Sequence, residues 1–97
     1  MGNGNARKKF KDLNGNRNVT GINIKNRRTQ LDISAQHLSD KLIMRGIDVH
    51  RQAIFLIEAG KRSVTDYELA AIAEILKTTP NDLLSDFINV LRDENLK

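Results

Sequence analysis

The chain has 97 residues, enough for one small domain with a tail and a single compact core. Hydrophobic residues at 39% can supply that core, and the absence of cysteine excludes a disulfide scaffold, a thiolate zinc site and a thiol nucleophile. The net charge of +4 excludes little by itself, because its placement along the chain carries the information.

Residues 1–30 hold eight Lys or Arg against Asp12 alone, whereas residues 63–97 hold seven acidic groups against three basic ones. A chain polarised in this way suits a molecule that turns one end towards a polyanion, although charge blocks are also common as solvated tails. Residues 1–19 read as a disordered basic arm. Glycine and asparagine dominate it, and Phe10, Leu13 and Val19 are its only sizeable apolar groups, too few to offset the entropy of ordering.

From Thr20 onward the pattern is helical. The first helix is predicted over 21–31, with Thr20 as cap and Val19 and Ile24 as the apolar staple around it. The second, over 35–44, starts at Ser34 with Ile33 and Leu38 in the same places and carries the stripe Leu38/Leu42. The third, over 51–59, has the staple Val49/Ile54 but only His50 as cap, and its stripe is Ile54/Ile57. Thr65 opens the fourth, over 66–77, where Glu68 completes a capping box and Leu69, Ile72, Ala73 and Leu76 form the stripe. The fifth, over 80–94, follows Thr79 with Pro80 at its first position and the stripe Leu84/Phe87/Ile88/Leu91. Gly46 and Gly60 fall just past helix ends, where a left-handed residue is wanted. No alternating strand pattern competes, so the fold class is all-α.

Two helices joined by a glycine-containing turn and followed by Gly60-Lys61-Arg62 carry a resemblance. The segments IKNRRTQLDIS (24–34), AQHLSDKL (35–42), VHRQAIFLIEAGKR (49–62) and VTDYELAAIAEILKTTPNDLL (64–84) are together similar to the Cro/CI-like (XRE) helix-turn-helix family. The resemblance implies a five-helix Cro/CI repressor-like bundle over 20–84 and an extension of the last helix over 85–97. It also implies a DNA-binding transcriptional regulator, a repressor acting as a homodimer on double-stranded DNA. Three departures stand out. Ala35 follows Ser34 where the family has glutamine, and Gln36 comes one later. The turn is longer by about five residues, Ile43 to Ile47, which requires Ile47 to be buried against Leu42 or Val49. The third helix also presents Phe55 and Leu56 where polar residues are usual.

With Ile54 and Ile57 facing inward, Arg51, Gln52, Phe55 and Leu56 lie outward, as residues that read bases in the major groove. Arg51 has the fork for guanine and Gln52 for adenine, while Phe55 and Leu56 offer apolar contact to thymine methyls. The alternatives stay open: Arg51 on phosphate, and Phe55 packed back on the domain. The resemblance assigns Lys61 and Arg62 to backbone phosphate. Gln36 and His50 at helix starts, Arg28 on the first helix, and Arg7, Lys8, Lys9 and Lys11 in the arm are expected to join them. Lys25, Arg27 and Arg28 on the first helix are either further contacts or a solvated face.

No apolar run approaches the ~18 residues of a membrane span, and the N-terminus lacks a secretion signal's apolar stretch, so the expectation is a soluble, cytoplasmic protein. His37 and His50 are expected at helix starts rather than on a metal. No catalytic arrangement is recognisable, so neither enzyme nor cofactor is expected. The last helix is greasier than a small bundle needs. Leu84, Phe87, Ile88 and Leu91 are the expected dimer seam, against the alternative that they all pack on the monomer's own core. A second functional reading is a protein-interaction module that keeps the fold without specific DNA binding, which the apolar pair Phe55/Leu56 would suit.

Overall fold

Helix boundaries in the computed structural model, which describes residues 15–96, follow the caps and breakers written in the chain. The helices are α1 (Gly21–Gln30), α2 (Ala35–Met44), α3 (Arg51–Glu58), α4 (Asp66–Ile75) and α5 (Pro80–Leu96), with no strand among the described residues. Arg7, Lys8, Lys9 and Lys11, expected to contact DNA, lie outside the described residues.

Three of the expected caps form. Ser34 Oγ accepts from the His37 amide at 3.0 Å, and Thr79 Oγ1 accepts from the Asp82 amide at 3.1 Å. Thr65 makes both halves of its capping box with Glu68. His50 caps α3 without its side chain.

Thr20 departs from expectation: its backbone is already helical, and its hydroxyl, in a residue only 3% exposed, has no partner. The cap is supplied two residues earlier, where Asn18 Oδ1 accepts from the Thr20 and Gly21 amides at 3.0 and 2.7 Å. Residues 15–19 of the expected arm 1–19 are among the described residues. The Arg17 amide donates to the Gly60 carbonyl at 2.7 Å, which places residues 17–19 in the domain.

Helix α4 stops at Ile75, two residues short of the expected end, for a tertiary reason. Arg27 on α1 donates from Nε to the Leu76 carbonyl at 2.8 Å and from Nη2 to the Lys77 carbonyl at 2.9 Å. Lys77 takes the left-handed position at φ 57°, although it is not glycine. At the ends of α2 and α3, Gly46 and Gly60 take that position at φ 79° and 76°.

Each helix contributes to one core. Ile24 of α1, Leu38 and Leu42 of α2, Ile54 and Ile57 of α3 and Ile72 and Ala73 of α4 are buried, with Val49 and Leu76 beside them. Ile47 is only half-buried, and Val49 holds the core place in the lengthened turn. Helix α5 enters the core through Leu83, one residue before the expected stripe. Leu84, Phe87 and Ile88 are half-buried, and Val90 and Leu91 are exposed.

Candidate nucleic-acid interface

Helix α3 owes its attitude to both of its ends. On the N-terminal side, the buried Ser39 hydroxyl of α2 donates to the Val49 carbonyl at 2.9 Å, which fixes the last stretch of the turn against α2. The turn starts with the Ile47 amide donating back to the Leu42 carbonyl at 3.0 Å, past Gly46. Ile54 and Ile57 then anchor α3 in the core, one helical turn apart.

The opposite face of α3 points to solvent. Arg51 and Gln52 are exposed, and their side chains make no hydrogen bond to another described residue. Phe55 is 49% exposed and Leu56 45% exposed, so the four residues expected to read bases share one open surface. The Phe55 ring neither enters the core nor stands free of the fold. It borders a notch between α1 and α3 that is lined by Lys25, Arg28, Glu58 and Ala59.

The phosphate set divides differently from expectation. Arg28 is engaged within the fold: Nε donates to Glu58 Oε2 at 2.7 Å, Nη2 to Glu58 Oε1 at 3.1 Å, and Nη1 to the Ile33 carbonyl at 2.9 Å. The hydrogen bond to Glu58 raises the Arg28 pKa above its ordinary value. Arg28 thus joins α1 to the end of α3 rather than facing solvent. Arg62 is engaged in a similar way, with Nη1 and Nη2 each donating to Glu68 at 3.0 Å and Nη1 also to the Ser63 carbonyl. Gln36 donates to Asp40 at 2.9 Å on the surface, and His50 Nε2 lies 2.7 Å from Asp48 Oδ1. Lys61 and Lys25 are exposed without an ion pair among the described residues. Lys25 thus offers the open cation that Arg28 does not.

Glu68 sits at the junction of two networks. It accepts from Arg62, and its Oε1 also accepts from the Thr65 amide at 3.0 Å as part of the capping box. The Arg62 hydrogen bonds hold its carboxyl below the ordinary carboxylate range, against a smaller opposing effect of burial. A folded-state pKa below the unfolded one stabilises the fold above the ordinary range, and this contribution is lost as pH falls through the lowered value. The urea midpoint of Glu68→Gln should therefore lie below that of the native chain at pH 7, and the gap should close on acidification. A gap that stays constant down to pH 2 would assign the network no electrostatic role.

Sequence reasoning missed Asn18 entirely, because an asparagine in an Asn-rich stretch gives no local sign of a distant partner. Its side-chain amide donates to the carbonyls of Ile57 and Arg62 at 3.0 and 2.8 Å. Among the described residues, no group of three or more His, Cys, Asp or Glu could hold a metal ion, and no helix is long and apolar enough to cross a membrane.

A helix-turn-helix family model matches residues 24–83, well over half of the chain and all of α2, the turn and α3. No curated protein and no solved structure matches the chain.

Proposed function

The chain belongs to the Cro/CI-like helix-turn-helix family, whose members bind DNA, and from that premise we propose that it is a sequence-specific transcriptional repressor that reads double-stranded DNA with α3. The observation that carries this reading is the pair Arg51 and Gln52. They stand unpaired at the exposed start of α3, opposite the buried stripe Ile54/Ile57.

An α-helix fits the major groove, and the first residues of a recognition helix meet base edges. There Arg51 forms bidentate bonds with guanine and Gln52 with adenine, while Leu56 and the outer face of Phe55 meet thymine methyls. Lys61 and Lys25 flank this face as phosphate contacts, with Gln36, His50 and the start of α2. Arg7, Lys8, Lys9 and Lys11 add sequence-independent attraction. Arg28 and Arg62 act through the fold instead. Occupation of a promoter by such a domain excludes other proteins, which is the simplest route to repression in the cytoplasm. Selection from a pool of random duplexes at about 150 mM salt tests the reading: one enriched sequence supports it, and binding without enrichment overturns the claim of specificity.

A second reading, a protein-interaction module, draws on the apolar area of Phe55 and Leu56 and on the shortage of open cations on α3. Salt-independent retention on DNA, or none, would favour it.

The homodimer is part of the proposal, with a shifted seam. Ile22 of α1 and Val90 and Leu91 of α5 are exposed, and Val19, Ile22, Phe87 and Val90 line one shallow groove. To read half-sites one DNA turn apart, a two-fold dimer built on this face must hold its two α3 helices about 34–36 Å apart. Leu91→Asp should dissociate it while leaving the melt of the monomer unchanged, because Leu91 contributes little to the monomer's own core. Sedimentation at micromolar concentration reads the result. A native chain that is monomeric both free and on DNA would remove the dimer from the proposal.

A further inference from the structure

We infer that Asn18 is a positioning residue for DNA reading, a clasp that sets the end of α3 against the start of α1; this rests on the assignment of α3 as the recognition helix. One side chain makes four hydrogen bonds across the two helices. Its Oδ1 accepts from the Thr20 and Gly21 amides, and its Nδ2 donates to the Ile57 and Arg62 carbonyls, 39 and 44 residues away. The Ile57 carbonyl already accepts from the Gly60 amide in the closing turn, and Asn18 adds a second donor from outside the helix, which ties the direction in which α3 ends to the start of α1.

The backbone around the clasp is shaped to admit it. A Cβ on Gly21 would overlap the Ile57 carbonyl oxygen, so only glycine lets α1 start this close to α3. Gly60, left-handed at φ 76°, would with a Cβ overlap the side-chain amide of Asn16. The Arg17 amide closes the same joint by donating to the Gly60 carbonyl at 2.7 Å. Residues 16–18 therefore lie across the end of the reading helix.

The consequence is specific. Base readout depends on the orientation of Arg51 and Gln52 to a fraction of an ångström, whereas attraction to phosphate tolerates small displacements. Loosening the clasp should therefore cost specific binding more than non-specific binding.

Serine at position 18 separates capping from clasping. Its hydroxyl can still accept from the amides that start α1, but it is too short to bridge to Ile57 and Arg62. Asn18→Ser should keep helical circular dichroism and a cooperative melt. Its affinity for the duplex enriched by the native chain, relative to a scrambled duplex, should fall about tenfold, with an unchanged slope of log affinity against log salt. Hydrogen exchange at the Ala59, Gly60 and Lys61 amides should quicken, because these close the last turn of α3 onto the Phe55, Ile57 and Leu56 carbonyls, respectively. Asn18→Ala should also lower the melting temperature, since it removes the cap as well.

A folded Asn18→Ser variant with native selectivity overturns the inference. If the native chain itself prefers no duplex, the assignment of α3 as a DNA reader fails instead. Exchange then decides the clasp alone, and native protection at residues 59–61 overturns it.

Discussion

Replacing Arg28 by methionine is expected to lower the stability of the fold by about 3–5 kcal/mol, a large part of what a domain this small possesses. The Glu58 carboxylate is 4% exposed and the Arg28 side chain 11% exposed, so the pair is largely withdrawn from water. Removing the guanidinium leaves Glu58 without its bonded partner, with only Lys25 lining the same notch as a cation, and frees the Ile33 carbonyl of its donor. Most of the loss comes from the abandoned charge rather than from the bond itself. Arg28→Met combined with Glu58→Leu should therefore recover much of it. Chemical denaturation of the two variants measures both quantities. A loss below about 1 kcal/mol for Arg28→Met would mean that water screens the pair as it screens an exposed one.

Arg51→Ala and Gln52→Ala should each reduce affinity for the preferred duplex by about 1–3 kcal/mol, roughly tenfold to a hundredfold, and each should relax preference at a different base pair. Neither side chain is bonded within the described fold, so thermal stability should change by less than about 0.5 kcal/mol. The two predictions contrast: Arg28→Met is expected to act on folding, and Arg51→Ala and Gln52→Ala on DNA binding alone. Should Arg51→Ala weaken all duplexes equally and flatten the salt dependence, Arg51 contacts phosphate and Gln52 begins the base readout. Native affinity in both variants would move the reading surface away from α3.

Much of the architecture was legible because it is written in local chemistry. The box at Thr65 and Glu68, the caps at Ser34 and Thr79 and the glycines at 46 and 60 act within a few residues of themselves. The stripe Ile54/Ile57 follows from helical period alone and put Arg51, Gln52, Phe55 and Leu56 on the open face. Errors arose wherever a partner lies far along the chain. Thr20 has the composition of a cap, yet Asn18 takes that part because its other end is held by Ile57 and Arg62. Helix α5 was placed in register by its richest stripe, but Leu83, which faces the bundle, sets the true one.

By itself, then, the sequence determined the five helices of the described residues, their order and the face that α3 presents. Caps, breakers and apolar period are properties of neighbouring residues and need no knowledge of the rest of the chain. Only the tertiary structure decided which cations stay open to solvent. In the sequence Lys25, Arg27, Arg28, Lys61 and Arg62 are five equivalent charges. In the fold, Arg27 caps α4 through the Leu76 and Lys77 carbonyls, Arg28 holds Glu58 and Arg62 holds Glu68, which leaves the two lysines facing solvent. Guanidinium groups carry several directed donors and fit carbonyls and carboxylates brought together from distant segments, so a chain collapsing around them recruits arginine inward. An ammonium group, compact and strongly hydrated, is more easily left at the surface, where phosphate can reach it.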